Sequence, residues 1–290
     1  MERFELLTPK NIPELLEALK SVTENTKILA GGTDLVVYLN QGKINPDLII
    51  DISGINEMKY IKEDDENLLI GSLTTFTELE EDQLINKYAK CLAEAAQDLG
   101  SKQIRNRGTI GGNIGNAAPA GDCLPALMVL EGKVLIIDSE GKTEELPIED
   151  ILVGPNKTSL NCDQAIIGIK IPKQEESWMS TFTKLGSRTA VTIAKLSIAM
   201  NVNYNDETNV IDEARMGLGA AGKTAFRVIR IEEFLKNKKV NRELVEQFAE
   251  EMSVEIENAI ARRDSMPYKR EAIKGVAYEA FENLFKAAIV

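Results

Sequence analysis

Three glycine-rich segments carry the residue patterns in this 290-residue chain that suit a definite chemistry. The first, Gly31-Gly32-Thr33-Asp34, ends a short apolar run, Ile28-Leu29-Ala30. A strand feeding a glycine turn leaves backbone N–H groups unpaired and admits an anion with no Cβ in its way. Thr33 adds a hydroxyl donor, and a helix opening behind the turn adds its dipole. The second, Thr109-Ile110-Gly111-Gly112-Asn113-Ile114-Gly115-Asn116, offers a further cradle of this kind. Two small-residue loops far apart in the chain suit a long ligand with a central pyrophosphate and two arms. A large, loop-rich connection explains the second stretch equally well.

The third segment, Gly217-Leu218-Gly219-Ala220-Ala221-Gly222-Lys223-Thr224, satisfies the P-loop pattern, and its first six residues satisfy the dinucleotide fingerprint. In a P-loop, Lys223 would reach the outer phosphate oxygens and Thr224 would bind Mg²⁺. Context argues against both. Too little chain remains after Thr224 for an acidic metal-binding strand, and the residues there read as helices with no returning parallel strand. The segment is read as a strand end and turn, with a nucleotide-binding protein using Lys223 and Thr224 as the alternative.

Missing residue types narrow the chemistry further. Histidine is absent, which excludes a His-based triad, a zinc-hydrolase site and a proximal-His haem. Cys91, Cys123 and Cys162 are far apart, form no C-x-x-C and are too few for an iron–sulfur cluster. They are expected as buried free thiols in a reducing cytoplasm. No catalytic side chain and no metal ligand set is expected, so the chemistry belongs to a bound cofactor or a partner. Lys plus Arg number 34 against 46 for Asp plus Glu, a net charge of −12, which speaks against nucleic acid or an anionic membrane as partner. The start, Met1-Glu2-Arg3-Phe4-Glu5, carries no apolar leader, and no apolar run reaches about 18 residues. A soluble, cytoplasmic protein is expected.

The elements that must position these segments emerge from periodicity. Ile12, Leu15, Leu16 and Leu19 mark an amphipathic helix. Leu48–Ile52, Asn67–Gly71, Lys133–Asp138 and Gln164–Ile171 read as strands. Thr74–Leu84 and Lys87–Leu99 read as helices, with Gly100 at the stop position. Pro172-Lys173-Gln174-Glu175-Glu176-Ser177 is polar and is taken as a domain boundary. Ile198–Tyr204 and Val210–Leu218 read as a hairpin turning at Asn205–Asn209. Helices over Arg242–Arg263 and Tyr268–Ala288 finish the chain, the first with Leu244, Val245, Phe248 and Met252 on one face. Strands grouped with helices, without strict alternation, indicate α+β in both parts.

Taken in order, Ala30-Gly31-Gly32-Thr33-Asp34-Leu35, Gln103-Ile104-Arg105-Asn106-Arg107-Gly108-Thr109-Ile110-Gly111-Gly112-Asn113-Ile114 and Asp122 resemble the FAD subunit of molybdenum hydroxylases. This is the family of xanthine dehydrogenase medium subunits, carbon monoxide dehydrogenase flavoproteins and nicotinate dehydrogenase FAD subunits. The resemblance extends to Phe4–Leu19, Ile70-Gly71-Ser72-Leu73-Thr74, Pro119-Ala120-Gly121-Asp122, and Phe182-Thr183-Lys184 followed by Arg188. It implies an FAD-binding domain over 1–173, of two α+β lobes as in vanillyl-alcohol oxidase and p-cresol methylhydroxylase. A smaller α+β domain of three antiparallel strands and a helix bundle, over 178–290, is implied to follow. It also implies that Lys27, Ile28, Leu29, Ala30, Gly31, Gly32, Thr33 and Asp34 line the pyrophosphate, together with Thr109, Ile110, Gly111, Gly112 and Asn113. Asp122 is implied to bind the adenosine or ribityl portion, Ile166 or Ile167 to touch the ring system by backbone, and Lys184 to lie near the flavin. Implied partners are a molybdopterin-binding large subunit and a small subunit with two [2Fe–2S] clusters. The implied acceptor is NAD⁺ or another electron carrier. Benzoyl-CoA-type reductase relatives insert a cysteine-bearing loop in this subunit, and this chain lacks those cysteines.

Overall fold

The structure, a computed structural model, describes residues 4–289. Met1, Glu2 and Arg3, on which the leader reading rests, lie outside the described residues. The first lobe runs β1 (Glu5–Leu7), α1 (Ile12–Leu19), β2 (Lys27–Leu29), α2 (Leu35–Asn40) and β3 (Leu48–Asp51). Asn11 caps α1 by accepting from the Glu14 N–H, and Leu15 and Leu19 turn inward as their spacing requires. The three strands pair in parallel in the order β1-β3-β2, and α1 and α2 lie in the connections that parallel pairing needs. Ile50 from the central strand, Leu15, Leu19 and Ile55 fill the core between them.

The second lobe begins with β4 (Ile61–Glu63) and β5 (Asn67–Gly71). Six short helices come next: α3 (Phe76–Glu81), α4 (Gln83–Tyr88), α5 (Lys90–Gln97), α6 (Lys102–Arg105), α7 (Ile110–Asn116) and α8 (Cys123–Val129). Then come β6 (Lys133–Asp138), β7 (Thr143–Pro147), α9 (Ile148–Ile151), β8 (Leu152–Gly154), β9 (Lys157–Thr158) and β10 (Gln164–Pro172). An antiparallel sheet of order β4-β5-β10-β6-β7 backs the helices, with the long strand β10 at its centre.

The two helices expected over 74–99 are three. Asp82 takes an extended backbone and uses its carboxylate to accept from the Leu84 and Ile85 N–H groups, which ends α3 and starts α4. Ala89 breaks the chain again before α5, and the expected stop at Gly100 lies beyond the last turn at Gln97.

The last part carries β11 (Trp178–Leu185), β12 (Leu196–Asn205), β13 (Val210–Gly219), β14 (Phe226–Arg227), α10 (Ile229–Leu235), β15 (Lys238–Lys239), α11 (Arg242–Ile260) and α12 (Met266–Ile289). The hairpin β12–β13 forms as its alternation predicts. Three long antiparallel strands make the sheet, and the two-residue strands β14 and β15 pair alongside the two ends of β13. Asn241 caps α11, whose Leu244, Val245, Phe248 and Met252 are buried against the sheet and α12. Phe248 and Phe281 meet at 5.5 Å between ring centroids. Cys91 and Cys123 are buried free thiols as expected, but Cys162 is exposed, because it lies in the connection between β9 and β10. Among the described residues no helix is long and apolar enough to cross a membrane.

Candidate functional site

Lys27, Ile28 and Leu29 form β2, and Ala30–Asp34 is the turn that joins it to α2. Gly32 sits in the left-handed region at φ 75°. A Cβ on Gly31 would lie 1.9 Å from the Arg107 carbonyl oxygen, so the first cradle is braced directly on the segment that leads into the second. The N–H groups of Gly31, Gly32, Thr33 and Asp34 have no hydrogen-bond acceptor among the described residues. Consecutive unpaired amides on one turn make an anion-binding nest. Asp34 flanks it, its carboxyl raised above the ordinary value by desolvation.

The second segment is a helix, not a loop. Thr109 caps α7, its hydroxyl accepting from the Gly112 N–H at 3.1 Å. The Ile110 N–H donates to the Thr74 carbonyl at 3.0 Å, that of Gly111 to Ser72 at 2.9 Å, and that of Asn113 to Thr109 at 3.0 Å. The amides at the start of α7 are therefore already spent, and this segment cannot be a second nest. It offers a bare face instead. Gly112 and Gly115 are exposed one turn apart, and a Cβ on Gly115 would meet only the Ile166 side chain, at 3.9 Å.

Among the described residues three buried side-chain oxygens lack partners: Ser72 Oγ, Asn113 Oδ1 and Asp122 Oδ1. A buried polar atom without a partner costs about 1–3 kcal/mol, so such atoms mark where a ligand's hydroxyl or N–H groups fit. Ser72 is legible in the sequence only as part of a resemblance, because a lone serine after a strand carries no local signal. Of the two ring-contact candidates, the Ile167 carbonyl is taken by the Ser72 N–H at 3.2 Å. Ile166 pairs with Ile136 at the edge of the β10 bulge, where the register shifts before Gly168.

Lys184 on β11 reaches Asp122, just before α8, at 2.8 Å, with side-chain exposures of 5% and 7%. The ammonium also donates to the Asp98 carbonyl at 2.5 Å. Burial pushes the Asp122 carboxyl up to about 6 against the opposing pull of Lys184. Spacing gives no sign of this pair, since it joins residues that only the tertiary fold brings together.

Residues 2–174 match the family described as FAD binding domain in molybdopterin dehydrogenase, and residues 181–284 match the CO dehydrogenase flavoprotein C-terminal domain. The chain belongs to the FAD-binding subunits of molybdopterin dehydrogenases. It is 31% identical to the nicotinate dehydrogenase FAD-subunit of Eubacterium barkeri, over 98% of this chain and 97% of that protein. It is 27% identical to the xanthine dehydrogenase FAD-binding subunit of Escherichia coli O157:H7, over 98% of each. Among solved structures, carbon monoxide dehydrogenase from Hydrogenophaga pseudoflava matches at a TM-score of 0.89 and 25% identity, covering 99% of this chain and 98% of that one.

The residues present fit FAD. The open amides of the Gly31–Asp34 turn suit its pyrophosphate, and the orphaned oxygens suit its hydroxyl and ring N–H donors. The bare face of α7 leaves room for a flat or extended group beside Ile166.

In this flavoprotein subunit the P-loop look-alike has a packing role. A Cβ on Gly217 would lie 2.7 Å from the Pro125 carbonyl oxygen, and one on Gly219 would lie 2.3 Å from Ser197 Oγ. The glycines let α8 and a neighbouring strand close onto β13. Lys223→Ala is therefore expected to leave flavin content unchanged, and calorimetry with Mg²⁺–ATP is expected to give no binding heat for wild type or variant. Binding to wild type that the variant loses would restore the P-loop reading.

Proposed function

We propose that this subunit carries electrons from a small partner subunit with two [2Fe–2S] clusters through FAD to NAD⁺ or another acceptor. The setting is a xanthine dehydrogenase-like molybdenum hydroxylase of the cytoplasm, with substrate oxidised on a molybdopterin-binding large subunit. The observation that carries the reading is the nest of unpaired amides at Gly31–Asp34, braced on the segment that leads into α7. When bound, FAD supplies the exchange between two-electron and one-electron chemistry. The chain supplies position. Residues Lys27–Asp34 hold the pyrophosphate and Thr109–Asn113 line its other side. Asp122 accepts from the adenosine or ribityl portion, Lys184 fixes Asp122, and Ile166 meets the ring system. The FAD-binding domain takes 1–173, and the C-terminal domain, 178–290, closes over it through Lys184.

A second feature supports a phosphate-bearing acceptor. Lys184, Ser197 and Gly219 are neighbours across β11, β12 and β13, so Lys195 and Ala220 lie just beyond Lys184 at the same end of the sheet. Lys269 donates to the Ala220 carbonyl at 2.7 Å, and Lys195 lies over the Tyr268 ring at 5.2 Å. Burial lowers the Lys269 ammonium below its ordinary value, and nearby Arg263 and Lys195 lower it further. These three cations have no carboxylate partner among the described residues. Unpaired cations crowded together in a chain of net charge −12 favour an anion between them.

The test is an assay of the flavin-loaded chain with an artificial dye, once with NADH and once with xanthine. Dye reduction is expected with NADH and none with xanthine. Lys269→Ala is expected to raise the KM for NADH about tenfold, the worth of one charge-assisted bond, with flavin content unchanged. Xanthine oxidation by the lone chain would overturn the subunit reading, and inactivity with NADH would move the acceptor away from nicotinamide.

A further inference from the structure

We infer that Glu94 is a positioning residue for the flavin site: its carboxylate fixes strand β11 against helix α5 and so holds Lys184 on Asp122. The inference rests on the reading of Asp122 as a contact of FAD. β11 is the edge strand of the last sheet, paired with β12 on one side. The outward amides of a covered edge strand need acceptors. α5 packs on that edge and supplies one. The Phe182 N–H donates to Glu94 Oε2 at 2.7 Å, and the Thr181 hydroxyl donates to the same oxygen at 2.9 Å. Thr181 is buried, so this contact is shielded from water. The other carboxylate oxygen faces the exposed Lys90 at 3.6 Å, which leaves Oε2 to the strand.

Two further contacts flank Glu94 along the same seam. At the start of α5, Ala89 offers no side-chain cap, and the Cys91 N–H donates instead to the Ser180 hydroxyl at 3.1 Å. At its end the Asp98 carbonyl accepts from the Lys184 ammonium. Cys91, Glu94 and Asp98 follow one another at about one helical turn, and Ser180, Phe182 and Lys184 are alternate residues of the strand. Helix and strand therefore run side by side, joined at three successive points. Of these, Glu94 alone grips the backbone of β11; the other two act through strand side chains. Lys184 is a long, flexible side chain, and its ammonium stays in one place only if its root does. Glu94 fixes the root two residues away, while Asp98 and Asp122 take the tip. The Asp122 carboxylate is steadied in turn: Oδ2 is held by Lys184, and Oδ1 is left without a partner, turned to accept from FAD.

The experiment titrates FAD into the full chain freed of flavin and reads the dissociation constant beside the thermal midpoint. Glu94→Ala is expected to weaken FAD binding about tenfold. Glu94→Gln, whose amide oxygen still accepts from Phe182 and Thr181, is expected to restore binding to within about twofold of wild type. The decisive reading is a double-mutant cycle with Lys184→Met. If Glu94 acts through Lys184, adding Glu94→Ala to Lys184→Met weakens binding by less than about twofold. Where Glu94→Ala does not fold, Thr181→Val takes its place in the cycle, with about a threefold loss expected alone. Additive losses overturn the assignment, as does a lowered midpoint with FAD affinity unchanged, which leaves Glu94 a merely structural contact. A Gln variant as weak as the Ala variant overturns it too, because charge and not the shared acceptor then matters. Lys184→Met with undiminished FAD affinity defeats the reading of Asp122 as an FAD contact, and the positioning role falls with it.

Discussion

Gly32→Val is expected to strip the subunit of flavin while its fold stands. Gly32 has φ 75°, where a side chain costs roughly 1–2 kcal/mol, more for a branched one. The space around it is forgiving. The nearest atoms to a new Cβ are Val36 Cγ2 at 3.1 Å and Leu29 Cδ1 at 3.2 Å, both ends of side chains that can turn aside. A branched residue disfavours the left-handed backbone at this position, so the turn relaxes and the amides of Gly31, Thr33 and Asp34 lose the arrangement the pyrophosphate needs. Losing two charge-assisted bonds at about 1.5–3 kcal/mol each weakens binding by at least a hundredfold. Far-UV circular dichroism and flavin extracted per mole of chain check the two halves. Gly31→Val and Gly111→Val are poorer probes, since their Cβ atoms would strike the Arg107 carbonyl at 1.9 Å and Ser72 Cβ at 2.6 Å. Both are expected to fail in folding, whatever the cradle does.

Lys184→Met is expected to cost about 2–3 kcal/mol at pH 8, because it leaves the Asp122 carboxyl buried without its cation. Protonation of that carboxyl, at about 1.4 kcal/mol per pH unit above its wild-type value of about 6, limits the loss. The cost depends on pH with a definite sign. Asp122 titrates at about 6 in the folded chain, above its ordinary 3.8. Between those values the folded chain holds a proton that the unfolded chain has released, so this group lowers wild-type stability as pH rises through that window. Lys184 holds the carboxyl down; without it, Asp122 stays protonated to higher pH. The penalty of Lys184→Met is therefore small at pH 5 and fully present above the raised titration point. Urea midpoints at about pH 5 and pH 8 check it. A pH-independent penalty would contradict the buried-pair argument. The double variant with Asp122→Asn is expected to recover much of the loss, because no uncompensated charge remains.

The parts of the fold legible in the sequence are those whose signal is local. α1 follows from Leu15 and Leu19, the β12–β13 hairpin from alternation around Asn205–Asn209, and α11 from Leu244, Phe248 and Met252. The first glycine turn is legible in part for the same reason, since Gly32 takes the left-handed backbone a turn there needs, while Gly31 is fixed by the distant Arg107 carbonyl. The second differs from its sequence signature. Gly111, Gly112 and Gly115 argue against a helix by propensity, but Thr109 and the carbonyls of Ser72 and Thr74 take up its first amides and hold it. Asp82 breaks a helix that periodicity joins, because its capping bonds outweigh an uninterrupted apolar pattern. The Lys184–Asp122 pair and the orphaned Ser72 oxygen are out of reach of any local pattern, because strands and helices far apart in the chain create them. Lys223 carries a motif without its context, and β13 uses the accompanying glycines for packing.

Amide hydrogen exchange of the chain with and without FAD tests most directly whether the two segments hold the cofactor in different ways. The N–H groups of Gly31, Gly32, Thr33 and Asp34, free in the structure, are expected to gain strong protection when FAD binds. Those of Ile110, Gly111, Gly112 and Asn113, already bonded within the chain, are expected to change little. Protection gained at the start of α7 with none at the Gly31–Asp34 turn would contradict the assignment of the pyrophosphate to the first cradle.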